Sequence, residues 1–515
     1  MIANNLVKVR QSCRTALVNL LMKSNIRWLV LAIISSALFL VVIDMTVLYT
    51  ALPRLTHDLH ASASEKLWIM NAYTLTIAGL LPAMGALSDR FGAKKLFTNG
   101  LAIFGVASLM AAFSPNPATL IAARVVLAFG AAMMMPATLA IVRQAFEDPN
   151  ERALAIGIWS AIASGGAALG PVIGGFLLEY YWWGSVFLIN IPIALIAFGF
   201  ALVVISKSPN NPDHSFDLIA SVQIMIGLVS ITYAIKELSK PVPSLVTAAT
   251  VGIVGIIFTA IFIRRQLSSS TPMIDFKLFR NRTFTAGVAA AFVSTAALVG
   301  MELAVSQRFQ LAIGLSPLLA GLFILPIPIA SFIAGPLAGI AIPKFGSERI
   351  MWLSLAFAGL GIFVYLAGLQ SRLFVQITAF CIIGFGIGAA MTAASTSIML
   401  NAPENNAGTA ASIEEVAYEL GSLIGIAVLG SLMVAVYSAS FTLPAAMSIP
   451  ELARNSIDEA LIVAEGLKEG EAALSLIQAA KQAFNHSFLS VLIAAGTLLL
   501  LSSVLIAVFG KEKRH

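Results

Sequence analysis

The sequence predicts an all-α polytopic membrane protein: fourteen transmembrane helices arranged as two six-helix bundles with a central helix pair. Three observations carry this reading. Mean hydropathy is +0.92, with 59% hydrophobic and only 11% charged residues, far from a soluble chain. Apolar stretches of the ~20 residues a bilayer crossing needs recur along the whole chain. A short loop pattern also returns 254 residues after its first occurrence.

The apolar stretches place spans at about 28–50, 66–88, 95–113, 118–143, 153–179, 184–206, 217–236, 243–263, 283–307, 317–342, 350–369, 373–399, 408–437 and 486–509. With the N-terminus inside, the inside segments carry 21 Lys/Arg and the outside segments nine. Basic residues stay with the cytoplasm during insertion, so both termini are expected there. The net charge of +6 follows from this anchoring and calls for no nucleic-acid partner. Residues 1–27 are basic without a cleavable signal pattern and read as a cytoplasmic segment. Of the two cysteines, Cys13 lies inside and Cys381 within a span, so no disulfide is expected.

The loop Gly85-Ala-Leu-Ser-Asp-Arg-Phe-Gly92 has an eroded echo in Gly339-Ile-Ala-Ile-Pro-Lys-Phe-Gly346, and Asp148-Pro-Asn-Glu151 is echoed by Ala402-Pro-Glu-Asn405. This offset maps spans 1–6 onto spans 9–14 and leaves spans 7 and 8 between. Parallel six-helix repeats are a transporter architecture, with the substrate site between the halves near the midplane. The expected division is residues 28–206 for the first bundle, 207–282 for the central pair and its linkers, and 283–509 for the second bundle. An external helical hairpin at about 440–485 and a cytoplasmic tail at 510–515 complete it. The hairpin is either a gating lid or a passive excursion.

Charges inside a bilayer are costly, and each is a candidate for function. Asp44 lies ~24 Å along span 1, and Arg124 lies ~9 Å into span 4 from the outside, so the two share a depth. They form either a pair that a proton or cation breaks or a satisfied hydrogen-bond network. Glu414, Glu415 and Glu419 lie in span 13, and the last two share a helix face. Clustered carboxylates hold protons more readily, as a reloading proton carrier requires. Glu419 is the preferred carrier, and Glu414 is near enough to the surface to be solvated. Glu302, late in span 9, either meets substrate or snorkels outward. Tyr49, Trp68, Tyr73, Trp159 and Tyr418 are candidates for cation–π contact, or else ordinary interface aromatics.

Gly166, Gly170 and Gly174 recur on one face of span 5, where a second helix can approach at backbone distance, and Pro171 bends the helix beside them. In the loop after span 2, Gly92 permits a tight turn. Asp89 pairs with Arg90 or with a facing helix, and Lys94 and Lys95 anchor the cytoplasmic face. There is no P-loop pattern and no His/Cys metal cluster, and no cofactor is expected. No nucleophile stands with a base at catalytic spacing, so an enzyme is not expected.

Together these motifs resemble the major facilitator superfamily. Gly85-x-Leu-x-Asp89-Arg90-x-Gly92-x-Lys94-Lys95 resembles its loop signature. Gly166-x-x-x-Gly170-Pro171-x-x-Gly174-Gly175 is similar to its antiporter signature in helix 5. Leu120-x-x-x-Arg124 through Gly130 is similar to its helix 4 motif, with Ala128 where glycine is common. Asp44-Met-Thr46-Val-x-x-x-Ala51-Leu52-Pro53 and Trp183-x-x-x-Phe187-x-x-Asn190-x-Pro192 look like motifs of the fourteen-helix drug:proton antiporters.

The resemblance covers nearly the whole chain. It implies a proton-driven exporter of lipophilic cationic drugs (quaternary ammonium compounds, dyes, methyl viologen) in a bacterial inner membrane, acting as a monomer in lipid. By that resemblance Asp44 takes part in coupling, Arg124 assists proton transfer, and the span 13 carboxylates face the drug. Gly85, Asp89, Arg90, Gly92, Lys94 and the glycines of span 5, Gly175 included, would serve conformational change. One departure concerns dications: residues 311–347 contain no Asp or Glu, although some exporters of divalent cations carry an acid in helix 10. Export of a neutral or anionic metabolite, and proton-coupled import, remain alternatives. The excess of intramembrane carboxylates over Arg124 argues against an anion.

Overall fold

A computed structural model describes residues 2–61, 63–207, 217–238, 244–269, 272, 274–369, 373–403, 406–442, 451–454, 456–467 and 471–509, with side chains from residue 26 onward. The side chains of Tyr49 and Pro171, the segment before residue 26, the tail from 510 and part of the 440–485 excursion lie outside the described side chains or residues.

Among the described residues, fourteen helices are long and apolar enough to cross a membrane. In chain order they are span 1 (Ile26–Leu48), 2 (Trp68–Phe91), 3 (Ala93–Ala112), 4 (Pro117–Ala145), 5 (Pro149–Tyr180), 6 (Ser185–Val204), 7 (Leu218–Leu238), 8 (Leu245–Ser268), 9 (Arg282–Ala312), 10 (Leu319–Phe345), 11 (Ser347–Ala367), 12 (Leu373–Asn401), 13 (Ala407–Ser440) and 14 (Glu471–Phe509). Capping follows local chemistry. Asn116, Asp148 and Ser316 accept hydrogen bonds from the first turns of spans 4, 5 and 10, each followed by a proline that needs no donor. Span 10 breaks before Pro326, which cannot continue the ladder.

The loop echo is visible in the backbone. Gly92 and Gly346 both have left-handed φ, 91° and 84°, and each caps the next helix. Only glycine takes that conformation without strain.

Two large buried clusters form. One is built mainly from spans 1–6, the other mainly from spans 9–14. Spans 7 and 8 pack on each other and span 7 lies against span 2, where Gly79 closes on Val229 and Met225. The excursion after span 13 supplies a short helix, Ile457–Gly466, whose Ile457, Ala460 and Ala464 are buried in the second cluster. Its second arm does not stop before the last span: Glu471–Phe509 is one continuous helix.

The halves meet on the face that carries residues 89–95, called here the basic face. Gly157 of span 5 and Gly335 of span 10 touch backbone to backbone, so that a Cβ on either would lie 2.4 Å from the other's carbonyl oxygen. Ser164 and Ser331 share a hydrogen bond of 2.8 Å nearer the middle. Towards the opposite face these stripes reach Val172, which is 53% exposed, and Gly321, whose Cβ direction meets nothing within 4 Å. The halves are therefore in close contact on the basic face.

Candidate functional site

Asp44 is held on both carboxylate oxygens. It forms an ion pair with Arg124, and both side chains are almost fully buried. Asn190 of span 6 donates Nδ2 to the second carboxylate oxygen at 3.2 Å and to Ser108 Oγ at 3.3 Å. Arg124 also donates Nε to the Ile69 carbonyl at 3.4 Å, and its guanidinium lies over the Tyr73 ring at 4.2 Å. Four spans thus hold one carboxylate through groups that strengthen one another in a low dielectric. The face of Tyr73 is occupied by the protein's own cation.

Span 13 is arranged differently. Glu414 is fully buried, which corrects its expected solvation: packing against span 12 covers it, and Ser395 Oγ donates to one oxygen. Its other oxygen and Oε1 of Glu415 have no hydrogen-bond partner among the described residues. Tyr418 bridges towards span 12, with its hydroxyl 3.4 Å from Ser395 Oγ and 3.5 Å from the Met391 carbonyl. Glu419 is half-buried, one turn beyond Glu415 on the same helix face. A carboxylate buried without a donor favours a proton or an arriving cation.

Other candidates fall elsewhere. No hydrogen bond or ion pair joins the half-buried Glu302 to these carboxylates among the described residues. Trp68 is 42% exposed and stacks on Tyr233 at 6.2 Å, which places it on the span 2–span 7 contact. Trp159 is buried, with its indole N–H unpartnered. Gly166, Gly170 and Gly174 do pack against span 1: a Cβ at Gly170 would lie 1.8 Å from Thr46 Oγ1. Gly175 faces open space, being turned about 100° away from that stripe.

The basic face carries a latch between the halves. Asp89 does not pair with Arg90; it accepts from the backbone N–H groups of Gly408 and Thr409, at 2.7 and 2.8 Å, and from Thr409 Oγ1 at 2.7 Å. These are the donors a helix leaves free in its first turn, where a carboxylate is also favoured by the helix dipole. Gly85 lies against Gly408 and Ser412, with no room for a Cβ on either glycine. Arg90 and Lys95 instead flank the Phe91 ring, and Lys94 donates to the carbonyls of Leu202 and Ile205 at the end of span 6. Arg143 adds a bond to the Ala402 carbonyl at 2.6 Å.

Read from the sequence, Asn190 enters only within a motif, and Ser395 and Lys236 have no role. Asn190 is the one amide in span 6, a signal that was available, whereas Ser395 sits beside Thr396 and Ser397 with nothing to single it out. Lys236, the final residue of the expected seventh span, lies in the last turn of span 7 with its Nζ 2.6 Å from Asn71 Oδ1. Behind span 13 there is also a cavity of about 450 Å³, walled by apolar side chains such as Phe262, Phe276, Phe292 and Val416 and by no charged residue.

Paired helix bundles, closed on one face around buried carboxylates, define a secondary transporter. The chain belongs to the major facilitator superfamily, whose family model matches residues 34–426 and 283–515. It is 40% identical over 483 residues to the methyl viologen resistance protein SmvA of Salmonella typhimurium, covering 93% of this chain and 97% of that one. It is 37% identical to the multidrug efflux pump LfrA of Mycolicibacterium smegmatis (93% and 96% covered), and 31% identical to the methylenomycin A resistance protein of Bacillus subtilis (78% and 86%). Among solved structures the human organic anion transporter MFSD10 superposes with a TM-score of 0.61 at 14% identity, covering 93% of this chain and 99% of that one.

Proposed function

We propose that this protein exports lipophilic cations in exchange for protons by alternating access, as a monomer in a bacterial cytoplasmic membrane with its basic face inside. The observation that carries the reading is the contrast inside the membrane: a bonded Asp44–Arg124 pair beside span 13 glutamates with unpartnered oxygens. Relatives named for methyl viologen resistance and multidrug efflux support the same substrate class.

In the state open to the outside, protons reach Asp44 and a span 13 glutamate. Protonation of Asp44 ends its ionic bond, and Arg124 falls back on the Ile69 carbonyl and the Tyr73 ring. The halves then rock, and the Asp89 latch releases the start of span 13. Thr409 and Glu414 share one rigid helix, so release of the latch moves the carboxylates. A cationic drug entering from the basic face binds them and displaces the protons, and the loaded carrier returns. A proton motive force supplies ~2.3 kcal/mol per charge per 100 mV and ~1.4 kcal/mol per pH unit for each proton.

The test uses everted vesicles with an imposed pH gradient, given ethidium, a quaternary ammonium compound or methyl viologen. Uptake of drug with drug-induced proton release is expected. Uptake without proton release would overturn the exchange, and no uptake of any cation would overturn the substrate class.

A further inference from the structure

The stretch between spans 8 and 9 is basic and folds back on the protein. Phe262 of span 8 meets the Phe276 ring edge-on at 6.5 Å, and Phe276 stacks on Phe279 at 6.1 Å. Gln266 of span 8 accepts from the Ile274 N–H at 3.2 Å. Asp275 caps the 3₁₀ helix Phe276–Arg280 through the Lys277 N–H at 2.9 Å. These aromatics wall the apolar cavity of about 450 Å³ behind span 13. Pro82 of span 2, Leu228 of span 7 and Val416 complete the wall, so the cavity lies in the seam between the first bundle, the central pair and the second bundle. Along span 9 it runs from Thr285 to Val293, ~12 Å at 1.5 Å per residue. Thr285 and Ser412 in its wall donate their hydroxyls to the carbonyls of Phe279 and Thr409, each at 2.8 Å. The cavity opens on the surface of the protein, where Ile263 is 39% exposed and Thr285 and Ala289 are exposed beside it.

The elements that supply this wall also carry exposed cations. Arg264 follows Ile263 directly, Lys277 follows Phe276, Arg280 follows Phe279, and Arg282 stands one turn before Thr285. Among the described residues none of these four forms an ion pair, whereas Arg265 pairs with Asp217 at 2.5 Å. Even-numbered spans end on the basic face, so the patch lies at that surface of the membrane. An apolar cavity with cations at its rim matches one ligand chemistry, a long apolar chain with an anionic head. Water finds few partners in such a cavity, and a basic pocket between transmembrane helices attracts anionic lipid head groups. We propose that this seam is a binding site for an anionic phospholipid, with one acyl chain in the cavity and the phosphate among Arg264, Lys277, Arg280 and Arg282. The inference requires only that the chain lies in a bilayer, and it stands whether or not cations are carried. The central pair, which belongs to neither six-helix bundle, forms one side of this site.

The test titrates the delipidated full chain in detergent with dioleoylphosphatidylglycerol or dioleoylphosphatidylcholine, which share their acyl chains, and counts bound lipids by native mass spectrometry. The first phosphatidylglycerol is expected to bind at least about tenfold tighter than phosphatidylcholine. Lys277→Gln and Arg280→Gln are each expected to weaken phosphatidylglycerol about fivefold, the equivalent of ~1 kcal/mol per charge, and to leave phosphatidylcholine unchanged. Lys344→Gln removes an exposed cation of span 10, which lines no part of the cavity, and is expected to change neither. Ala289→Phe fills the cavity mouth and is expected to weaken both lipids about tenfold, the worth of roughly two buried methylenes. Glycerol phosphate, the head group without its chains, is expected not to compete. The charge variants carry the test if Ala289→Phe does not fold. Equal binding of the two lipids, an equal loss in Lys344→Gln, unchanged phosphatidylglycerol binding in a folded Ala289→Phe protein, or displacement by glycerol phosphate would each overturn the site and leave cation export standing.

Discussion

Asp44 and Glu415 are both carboxylates buried in the membrane interior, but they are held in opposite ways. Asp44 has a guanidinium on one oxygen and an amide on the other. Glu415 is 5% exposed, has an oxygen with no donor, and its nearest charged neighbours are other glutamates. A bonded carboxylate gives up its partner only when protonated, and breaking such a buried pair costs about 3–5 kcal/mol. A carboxylate without a protein donor is stabilised by a proton or a cation. On the reading proposed above, the difference divides the work: Asp44 would read protonation and move the first half, while span 13 would bind what is carried.

Substitutions that erase the contrast should have the largest effects. Asp44→Asn leaves Arg124 without its charge partner, and proton-coupled uptake in everted vesicles is expected to fall at least about 100-fold, the equivalent of the pair's breaking cost. Glu415→Gln and Glu419→Gln each remove one charge from the cation site. Each is expected to weaken tetraphenylphosphonium binding about tenfold, one such charge interaction being worth ~1.4 kcal/mol. Asp89→Asn keeps an acceptor but loses its charge at the start of span 13. The latch is expected to weaken by about 1 kcal/mol, seen as a several-fold rise in labelling of a cysteine placed on the basic face between the halves. Tyr418→Phe removes only the weak bonds to span 12 and should change drug affinity by less than about threefold.

Much of the fold was legible because hydropathy is a bulk property: a segment either has enough apolar length to cross or it does not. The glycine stripe of span 5 was legible for a similar reason, since four-residue spacing fixes a helix face whatever surrounds it. Matching depth alone made Asp44 and Arg124 candidates for a pair or a shared hydrogen-bond network. Partners chosen by packing were not legible. Nothing in the loop sequence says that Asp89 reaches residues 408 and 409, more than 300 positions away, instead of Arg90 beside it. Nor does the end of an apolar run reveal whether Lys236 points to water or to Asn71. The burial of Glu414 was missed because depth along a helix ignores the neighbour that covers it. Here that neighbour is span 12, which brings Ser395.

The division of labour is tested most directly by counting protons. Purified protein in nanodiscs is saturated with tetraphenylphosphonium in weakly buffered solution, and proton release and drug binding are read together. Asp44→Asn is expected to bind the drug with an affinity within about threefold of the parent and to release fewer protons per drug bound. Unchanged proton release in Asp44→Asn, or loss of drug binding in a folded Asp44→Asn protein, would contradict the account.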